Sequence, residues 1–227
     1  MELTTFLRNN KTTGINSNYT HTSIPGNGFP GGSFYIPTEK LKEFHNLYNK
    51  HVFINKKPAY LTEAPNKNGI SCLKADIDFR YPGDLNKLER KYTIEMVYKI
   101  ISCFMINICK WLQTPLRPKE KLCFVLEKTK PAIFDKEKGL IKDGIHLMWP
   151  NIILHYGLHK KIRELVVSYF ENDNIFKSFN ISNPIVDVFD PCIDKNNWFM
   201  YGSSKPNQES YKLTKLINYN EDTKLCE

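Results

Sequence analysis

Two aspartates separated by a single residue stand in the apolar segment LKADIDF, residues 73–79. Alternate side chains of a β-strand point to opposite faces, so Asp76 and Asp78 share one face, with Cα atoms roughly 6.6 Å apart. The apolar residues between and beside them occupy the other face and anchor the strand in a core. Two carboxylates on a rigid strand can hold a divalent metal ion. Taken alone, an Asp-x-Asp pair more often marks the solvated face of a strand.

A second polar site stands in the segment from Lys142 to Pro150, which predicts a strand carrying His146 among apolar residues. Gly144, two residues earlier, permits a close approach of the backbone. A single histidine in such a strand is more often a satisfied core side chain, but the neighbouring Lys142 favours a site for an anion.

A third site begins at Asp190, which ends an apolar run. We expect its carboxylate to project from a strand end toward Asp76 and Asp78, so that three carboxylates converge. The following segment 202–205, Gly-Ser-Ser-Lys, offers two hydroxyls and an ammonium group, which bind phosphate oxygens through hydrogen bonds and charge. An ordinary surface turn has the same composition.

The composition is that of a basic, globular protein. Of its 227 residues 41% are hydrophobic, enough to fill a core. The 32 Lys and Arg residues exceed the 24 Asp and Glu residues, which gives a net charge of +8. This charge suits an acidic partner such as nucleic acid, although a Lys-rich solvated surface gives the same balance.

The cysteines and apolar runs indicate an intracellular protein without a membrane segment. None of the six cysteines belongs to a Cys-x-x-Cys pair, so we expect reduced, mostly buried thiols in a reducing compartment. Residues 1–10 lack an apolar core of signal-peptide length. The longest apolar stretch, near Ile100 to Ile108, is too short to span a bilayer.

The patterns along the chain predict helices mixed with strands. Residues 1–36 are rich in Asn, Thr, Ser and Gly and predict a loop-rich N-terminal segment. Thr38 has the character of an N-cap for a helix that runs to Tyr48. Further patterns predict strands at 72–79, 122–126 and 144–149 and helices at 92–112 and 158–170. This mixture predicts an α+β or α/β sandwich in one domain, with a catalytic core over 37–206 and a C-terminal extension over 207–227.

In this order and separation, the polar sites resemble the archaeo-eukaryotic primase superfamily. Its signature is Asp-x-Asp on one strand, small-x-His on another, and a later Asp. Here the three motifs are Asp76-Ile77-Asp78, Gly144-Ile145-His146 and Asp190. The resemblance covers about residues 70–206. It is closest to the primase domain of primase-helicases from large DNA viruses, where a Tyr-Gly-Ser-Ser-Lys-Pro-like stretch follows the last acid.

The resemblance implies an α+β fold in which an RRM-like catalytic sheet packs with an N-terminal α/β unit. It also implies template-directed nucleotidyl transfer that makes primers on single-stranded DNA in viral DNA replication. Asp76, Asp78 and Asp190 would hold two Mg²⁺ or Mn²⁺ ions, and His146 would contact the phosphates of the incoming nucleoside triphosphate. Oxygen ligands suit these metals better than zinc.

Ser203 and Lys205 would support the triphosphate according to the same resemblance. Many relatives have an arginine just before the Gly-Ser turn, where this chain has Phe199 and Met200. The cationic role would therefore fall to Lys205 or to Lys142. The sequence has no Gly-x-x-x-x-Gly-Lys-Ser/Thr segment, so an ATP-driven helicase, the partner that the resemblance suggests, would be a region C-terminal to this chain.

Several alternatives remain open at this point. Asp187 and Asp194 lie near Asp190, and either is an alternative third ligand. A metal-dependent nuclease would use the same residue types, since carboxylates and a histidine also suit phosphodiester hydrolysis. A non-catalytic module that binds single-stranded nucleic acid would need neither metal nor acids. A primase lengthens its nucleic-acid product and a nuclease shortens it, so product length distinguishes the two enzymes. Both enzymes should bind Mg²⁺ or Mn²⁺ with an affinity that depends on Asp76, whereas the binding module should not.

Overall fold

The computed structural model describes residues 1–13, 18–112, 115–192, 195–220, 222–223 and 225–226. The chain divides into two compact units. The first unit comprises Met1–Asn68 and Lys195–Lys212, and the second comprises Gly69–Asp194 and Leu213–Glu227. Helices combined with antiparallel sheets confirm the mixed α+β class. The expectation of a single domain divided at residues 36 and 206 stays a prediction, and neither residue is a boundary of these units.

The described helices and strands have the following bounds. The helices are α1 (Leu3–Asn9), α2 (Leu41–Asn49), α3 (Ile94–Cys109), α4 (Tyr156–Glu171) and α5 (Ile185–Val188). The strands are β1 (His21–Ser23), β2 (Gly32–Phe34), β3 (Leu61–Glu63), β4 (Ile70–Pro82), β5 (Leu122–Glu127), β6 (Ala132–Asp135), β7 (Leu140–His155), β8 (Trp198–Phe199), β9 (Lys212–Asn220) and β10 (Leu225–Cys226).

The first unit contains a four-stranded sheet in the order β2-β1-β3-β8. Its core includes the fully buried rings of Phe34 and Phe44, which come from β2 and α2. The N-terminal segment predicted as loop-rich therefore contributes a helix and two strands to this unit. Thr38 begins a short 3₁₀ turn, Thr38–Lys40, that leads into α2, so it lies inside the helical segment and is not its cap.

The second unit is organised by a six-stranded sheet. Its strand order is β10-β9-β5-β7-β4, and β6 pairs with the first residues of β7. The long strands β4 and β7 pair antiparallel from end to end, with one register shift between Cys72 and Leu73. One face of the sheet is apolar and shares a core with α3 and α4, which includes the fully buried Ile77, Phe79 and Trp149. The opposite face is left for polar side chains.

The periodic segments of the sequence predict the elements that build this sheet. The predicted strands lie within β4, β5 and β7, and the predicted helices correspond to α3 and α4. Thr93 caps α3, since its side chain accepts a hydrogen bond from the backbone N–H of Met96. The predicted C-terminal extension differs, because residues 212–220 form β9 inside the sheet, between β10 and β5. The RRM-like arrangement stays a prediction.

None of the helices in the described part of the chain combines the length and the apolar character needed to cross a bilayer.

Candidate active site

Asp76 and Asp78 lie on the same face of β4, within the second unit. The strand alternates between half-buried polar residues and buried apolar residues. Ile77 and Phe79 between and beside the acids are fully buried. Because the apolar side chains fix the strand in the core, the two carboxylates stand on rigid β-structure.

Strand β7 places a histidine and a lysine beside the two acids. His146 lies directly opposite Asp76 in the β4–β7 register, and Gly144 lies opposite Asp78. Opposite residues of an antiparallel pair share a face, and Nε2 of His146 is 3.4 Å from Oδ1 of Asp76. Gly144 has no side chain to fill the space beside Asp78. Nζ of Lys142 reaches that position and donates a hydrogen bond of 2.8 Å to Oδ2 of Asp78.

The two aspartates differ in the direction of their pKa shifts. Burial acts to raise the pKa of Asp76, but the charges of His146, Lys142 and Lys128 outweigh it and lower that pKa below its usual value. Burial and the charge of Asp76 raise the pKa of Asp78, against the opposing effect of Lys142. Two adjacent carboxylates with divergent pKa values are typical of a functional site that binds a proton or a cation.

Asp190 lies beside Asp76 on the other edge of β4. Its backbone N–H donates a hydrogen bond of 3.0 Å to the carbonyl oxygen of Asp76, and Phe189 forms an antiparallel bridge with Ile77. This register places Asp190 opposite Asp76, at a position on the same face as the two acids. Oδ1 of Asp190 accepts a hydrogen bond of 2.7 Å from the backbone N–H of Cys192.

Two side chains that the sequence analysis did not single out attach the Asp190 segment to the unit. Asn183, which is 6% exposed, donates from Nδ2 to the carbonyl oxygen of Asp78 and accepts at Oδ1 from the backbone N–H of Arg80, both at 2.9 Å. Arg163 of α4 donates from Nε to the carbonyl oxygen of Phe189 at 2.9 Å and from Nη2 to a carbonyl oxygen of α5. These bonds fix the segment along β4 without a regular strand.

Asp187 and Asp194 are the other two candidates for the third acid. Asp187 is exposed and lies in the four-residue helix α5. Asp194 lies outside the described residues. Asp190 is therefore the acid that the described backbone register associates with Asp76.

The donor atoms at Asp76 and Asp78 fit a hard cation such as Mg²⁺ or Mn²⁺. Oδ1 of Asp76 is buried, and among the described residues it accepts no hydrogen bond of ordinary geometry. In the same part of the chain, however, no three His, Cys, Asp or Glu side chains are grouped closely enough to hold a metal ion. The convergence of the three carboxylates on one metal ion stays a prediction. In this arrangement the Asp190 carboxylate accepts a hydrogen bond from the Cys192 backbone, and the Lys142 ammonium group pairs with Asp78.

Ser203 and Lys205 belong to the first unit. Ser203 is 4% exposed, and its Oγ lies 2.8 Å from the Tyr48 hydroxyl and accepts a hydrogen bond of 3.2 Å from the backbone N–H of Leu61. The preceding Gly202 has a φ of +89°, which favours glycine at this turn. Lys205 is exposed. The structure thus uses the Ser203 hydroxyl to hold the turn and leaves Lys205 accessible.

An acid pair and a histidine on adjoining antiparallel strands of an α+β unit are features of the archaeo-eukaryotic primase (AEP) class. The comparison with protein families assigns the chain to this class. Residues 20–217 match the family described as the C962R protein N-terminal AEP domain, and the chain belongs to that family. The match confirms the resemblance to the primase superfamily and spans every candidate site residue. No curated protein matches the chain significantly.

Proposed function

We propose that this chain is a primase or primase-polymerase domain that makes primers on single-stranded DNA by metal-dependent, template-directed nucleotidyl transfer. The family supports a primase-type nucleotidyltransferase. The observation that carries the finer proposal is the backbone register of Asp190 opposite Asp76, on the same face as Asp78. This register supports the proposal because it associates Asp190, which is distant in the sequence, with the strand that carries Asp76 and Asp78.

In this proposal Asp76, Asp78 and Asp190 hold Mg²⁺ or Mn²⁺. When bound, the metal lowers the pKa of the attacking 3′-hydroxyl and neutralises charge on the leaving pyrophosphate. Asp190 would complete the ligand set in place of the hydrogen bond that its carboxylate accepts from the Cys192 backbone. Burial and the charge of Asp76 raise the pKa of Asp78, and a bound cation would relieve the repulsion between the two carboxylates.

His146 and Lys142 supply the positive end of the site. His146 is held opposite Asp76, and we assign it to the phosphates of the incoming nucleotide. The Lys142 ammonium group pairs with Asp78, and with a metal ion on Asp78 it would be available to bind a phosphate oxygen. We further assign Lys205 to the triphosphate, with Ser203 fixing the turn that carries it.

A synthesis assay tests the proposal. The domain is incubated with single-stranded DNA, Mn²⁺ or Mg²⁺, and either ribonucleotides or deoxyribonucleotides. We expect new oligonucleotides with the unmodified chain and none with Asp76→Asn, Asp78→Asn or Asp190→Asn. Asp187→Asn is the matched control, because Asp187 is exposed on the same segment. Shortened DNA in place of new product would identify a nuclease, and synthesis by the Asp76 or Asp78 variant would refute the assignment.

The biological setting is also part of the proposal. The family takes its name from the N-terminal domain of the C962R protein. By analogy, we propose that this domain acts in viral DNA replication with a helicase region that follows it. The partners would be single-stranded DNA and nucleoside triphosphates, and a net charge of +8 suits both.

A further inference from the structure

Phe134 is an exposed aromatic residue at a β-bulge near the candidate active site. Strand β6 pairs with the start of β7, and the register shifts between Ile133 and Asp135, so Phe134 is the extra residue. Its side chain is 47% exposed. A bulge redirects the side chain that it contains, and bulges are frequent beside active sites.

The guanidinium group of Arg80 lies over the Phe134 ring. Cζ of Arg80 is 4.5 Å from the ring centroid, within the range of a cation–π contact. Arg80 is two residues beyond Asp78 on β4, so it belongs to the same face as the acids, and Lys142 is its cross-strand neighbour. Arg80 thus links the ring of Phe134 to the polar face of the active site.

Arg80 is not neutralised by an acid. Within the described ranges its guanidinium has no ion pair, and its Nε is buried without a hydrogen-bond partner. An unpaired guanidinium group beside an exposed ring is suited to a phosphate oxygen, which it can bind through two parallel hydrogen bonds.

The surrounding hairpin is basic. Residues 128–142 contain five lysines and two acids, and one of these acids, Asp135, lies near Lys138. Lys142, the last of these lysines, donates a hydrogen bond of 2.8 Å to Asp78, so the basic residues of the hairpin reach the acids. A positive surface of this extent is complementary to a chain of phosphates rather than to one nucleotide.

We propose that Phe134 and Arg80 form a binding site for single-stranded nucleic acid next to the active site. One base stacks on the exposed face of Phe134, and the adjoining phosphate binds the Arg80 guanidinium group. A single strand is the occupant because its bases are free to stack on an aromatic ring, whereas a duplex keeps its base faces covered. This inference rests on the proposed function, because the single strand bound at Phe134 and Arg80 would be the template for primer synthesis.

Equilibrium binding of a fluorescently labelled oligothymidylate, measured by anisotropy with EDTA present, tests the site separately from catalysis. We expect Phe134→Ala to bind roughly five- to a hundredfold more weakly, the effect of losing one base-stacking platform. Phe134→Trp should retain or strengthen binding. Ile133→Ala is the matched control, because Ile133 is the neighbouring exposed residue and pairs with the core-facing Ile141. Its affinity should equal that of the unmodified chain.

Salt dependence identifies the role of Arg80. For single strands, each lost phosphate contact reduces the slope of log affinity against log salt concentration by about 0.7. Arg80→Ala should show this reduction, and Phe134→Ala should not. A second measurement does not depend on whether the variants fold. DNA that contains 5-iododeoxyuridine is photocrosslinked to the unmodified chain, and mass spectrometry should find the label on the peptide that contains Phe134.

The outcomes separate this inference from the proposed function. If Phe134→Ala binds DNA normally and no crosslink reaches Phe134, the binding site is refuted, while primer synthesis by the same protein would leave the primase assignment standing. If Asp76→Asn makes no primers and yet binds DNA with dependence on Phe134, both assignments are supported. If the unmodified chain binds DNA through Phe134 but makes no primers, the binding site stands and the primase assignment fails.

Discussion

Replacing Asp78 with asparagine should abolish primer synthesis and at the same time stabilise the protein at neutral pH. Asparagine keeps the shape of the side chain and removes its charge. In the folded chain the ionised Asp78 is disfavoured by burial and by the charge of Asp76, while Lys142 and, to a smaller extent, His146 oppose these effects. The variant therefore loses a metal ligand and an unfavourable charge together.

The size of the stabilisation follows from the geometry of the strand. With the Cα separation of roughly 6.6 Å taken as the distance between the two charges, their repulsion at an effective dielectric constant of about 20 is about 2.5 kcal/mol. Lys142 is 40% exposed, so water screens its attraction for Asp78 to about 1 kcal/mol. The balance is a gain of about 1–2 kcal/mol in the free energy of unfolding, or about 2–8 °C in melting temperature.

The stabilisation by Asp78→Asn should depend on pH. A raised pKa means that the folded state binds the Asp78 proton more tightly than the unfolded state does. The wild-type penalty is therefore complete above the raised pKa and disappears as the pH falls below the unfolded value. Asp78→Asn should exceed the wild type in stability at pH 7 and match it at low pH.

Thermal unfolding in EDTA measures the effect of Asp78→Asn, because the chelator removes any divalent cation that offsets the repulsion. Asp187→Asn, a change at an exposed aspartate, serves as the control and should leave the melting temperature within about 1 °C. The electrostatic reasoning is refuted if Asp78→Asn is less stable than the wild type at pH 7. It is equally refuted if the gain in stability grows as the pH is lowered.

Three other substitutions test the support around the site. Asn183→Ala leaves two backbone groups of β4 without hydrogen-bond partners, so urea denaturation should show a free energy of unfolding lower by about 1–3 kcal/mol. Unchanged stability would contradict the role of Asn183 in holding the Asp190 segment on β4. Lys142→Met removes the cation that lowers the pKa of Asp78, so the pH profile of Mn²⁺-dependent synthesis should shift to higher pH. Lys160→Met, at an exposed lysine of α4, is the control. If the two variants have the same pH profile, Lys142 does not control the ionisation of Asp78. Ser203→Ala should cost about 1–2 kcal/mol of stability; a higher KM for nucleotide with unchanged stability would instead assign the hydroxyl to the phosphates.

The parts of the site that follow from the sequence are those built on periodic patterns. The alternation around Asp76 and Asp78 predicts a strand with one apolar face, and the structure has it in β4. The segment around His146 predicts a second strand, although not that it pairs with the first. Only the register shows that the glycine of the small-x-His pattern lies opposite Asp78, the acid to which Lys142 donates a hydrogen bond.

The rest depends on contacts between residues that are far apart in the sequence. Asn183 and Arg163 fix the Asp190 segment through hydrogen bonds to backbone groups. Asn183 belongs to no motif or periodic run, and the periodicity that predicts the helix carrying Arg163 does not predict the partners of its side chain. The contact between Arg80 and Phe134 also could not be predicted, because no pattern in the sequence around either residue indicates that they meet. Strand β9 was missed because its exposed and buried residues alternate only in its last half. Turn composition predicted the segment 202–205 but not the burial of Ser203.

Mn²⁺ binding followed by electron paramagnetic resonance is the most direct test of the account, because it reports on the acids without requiring template or nucleotide. The account predicts that the wild-type chain binds Mn²⁺ and that Asp76→Asn and Asp78→Asn each abolish this binding, while Asp187→Asn retains it. Binding of Mn²⁺ by both active-site variants with wild-type affinity would contradict the claim that these carboxylates form the metal site.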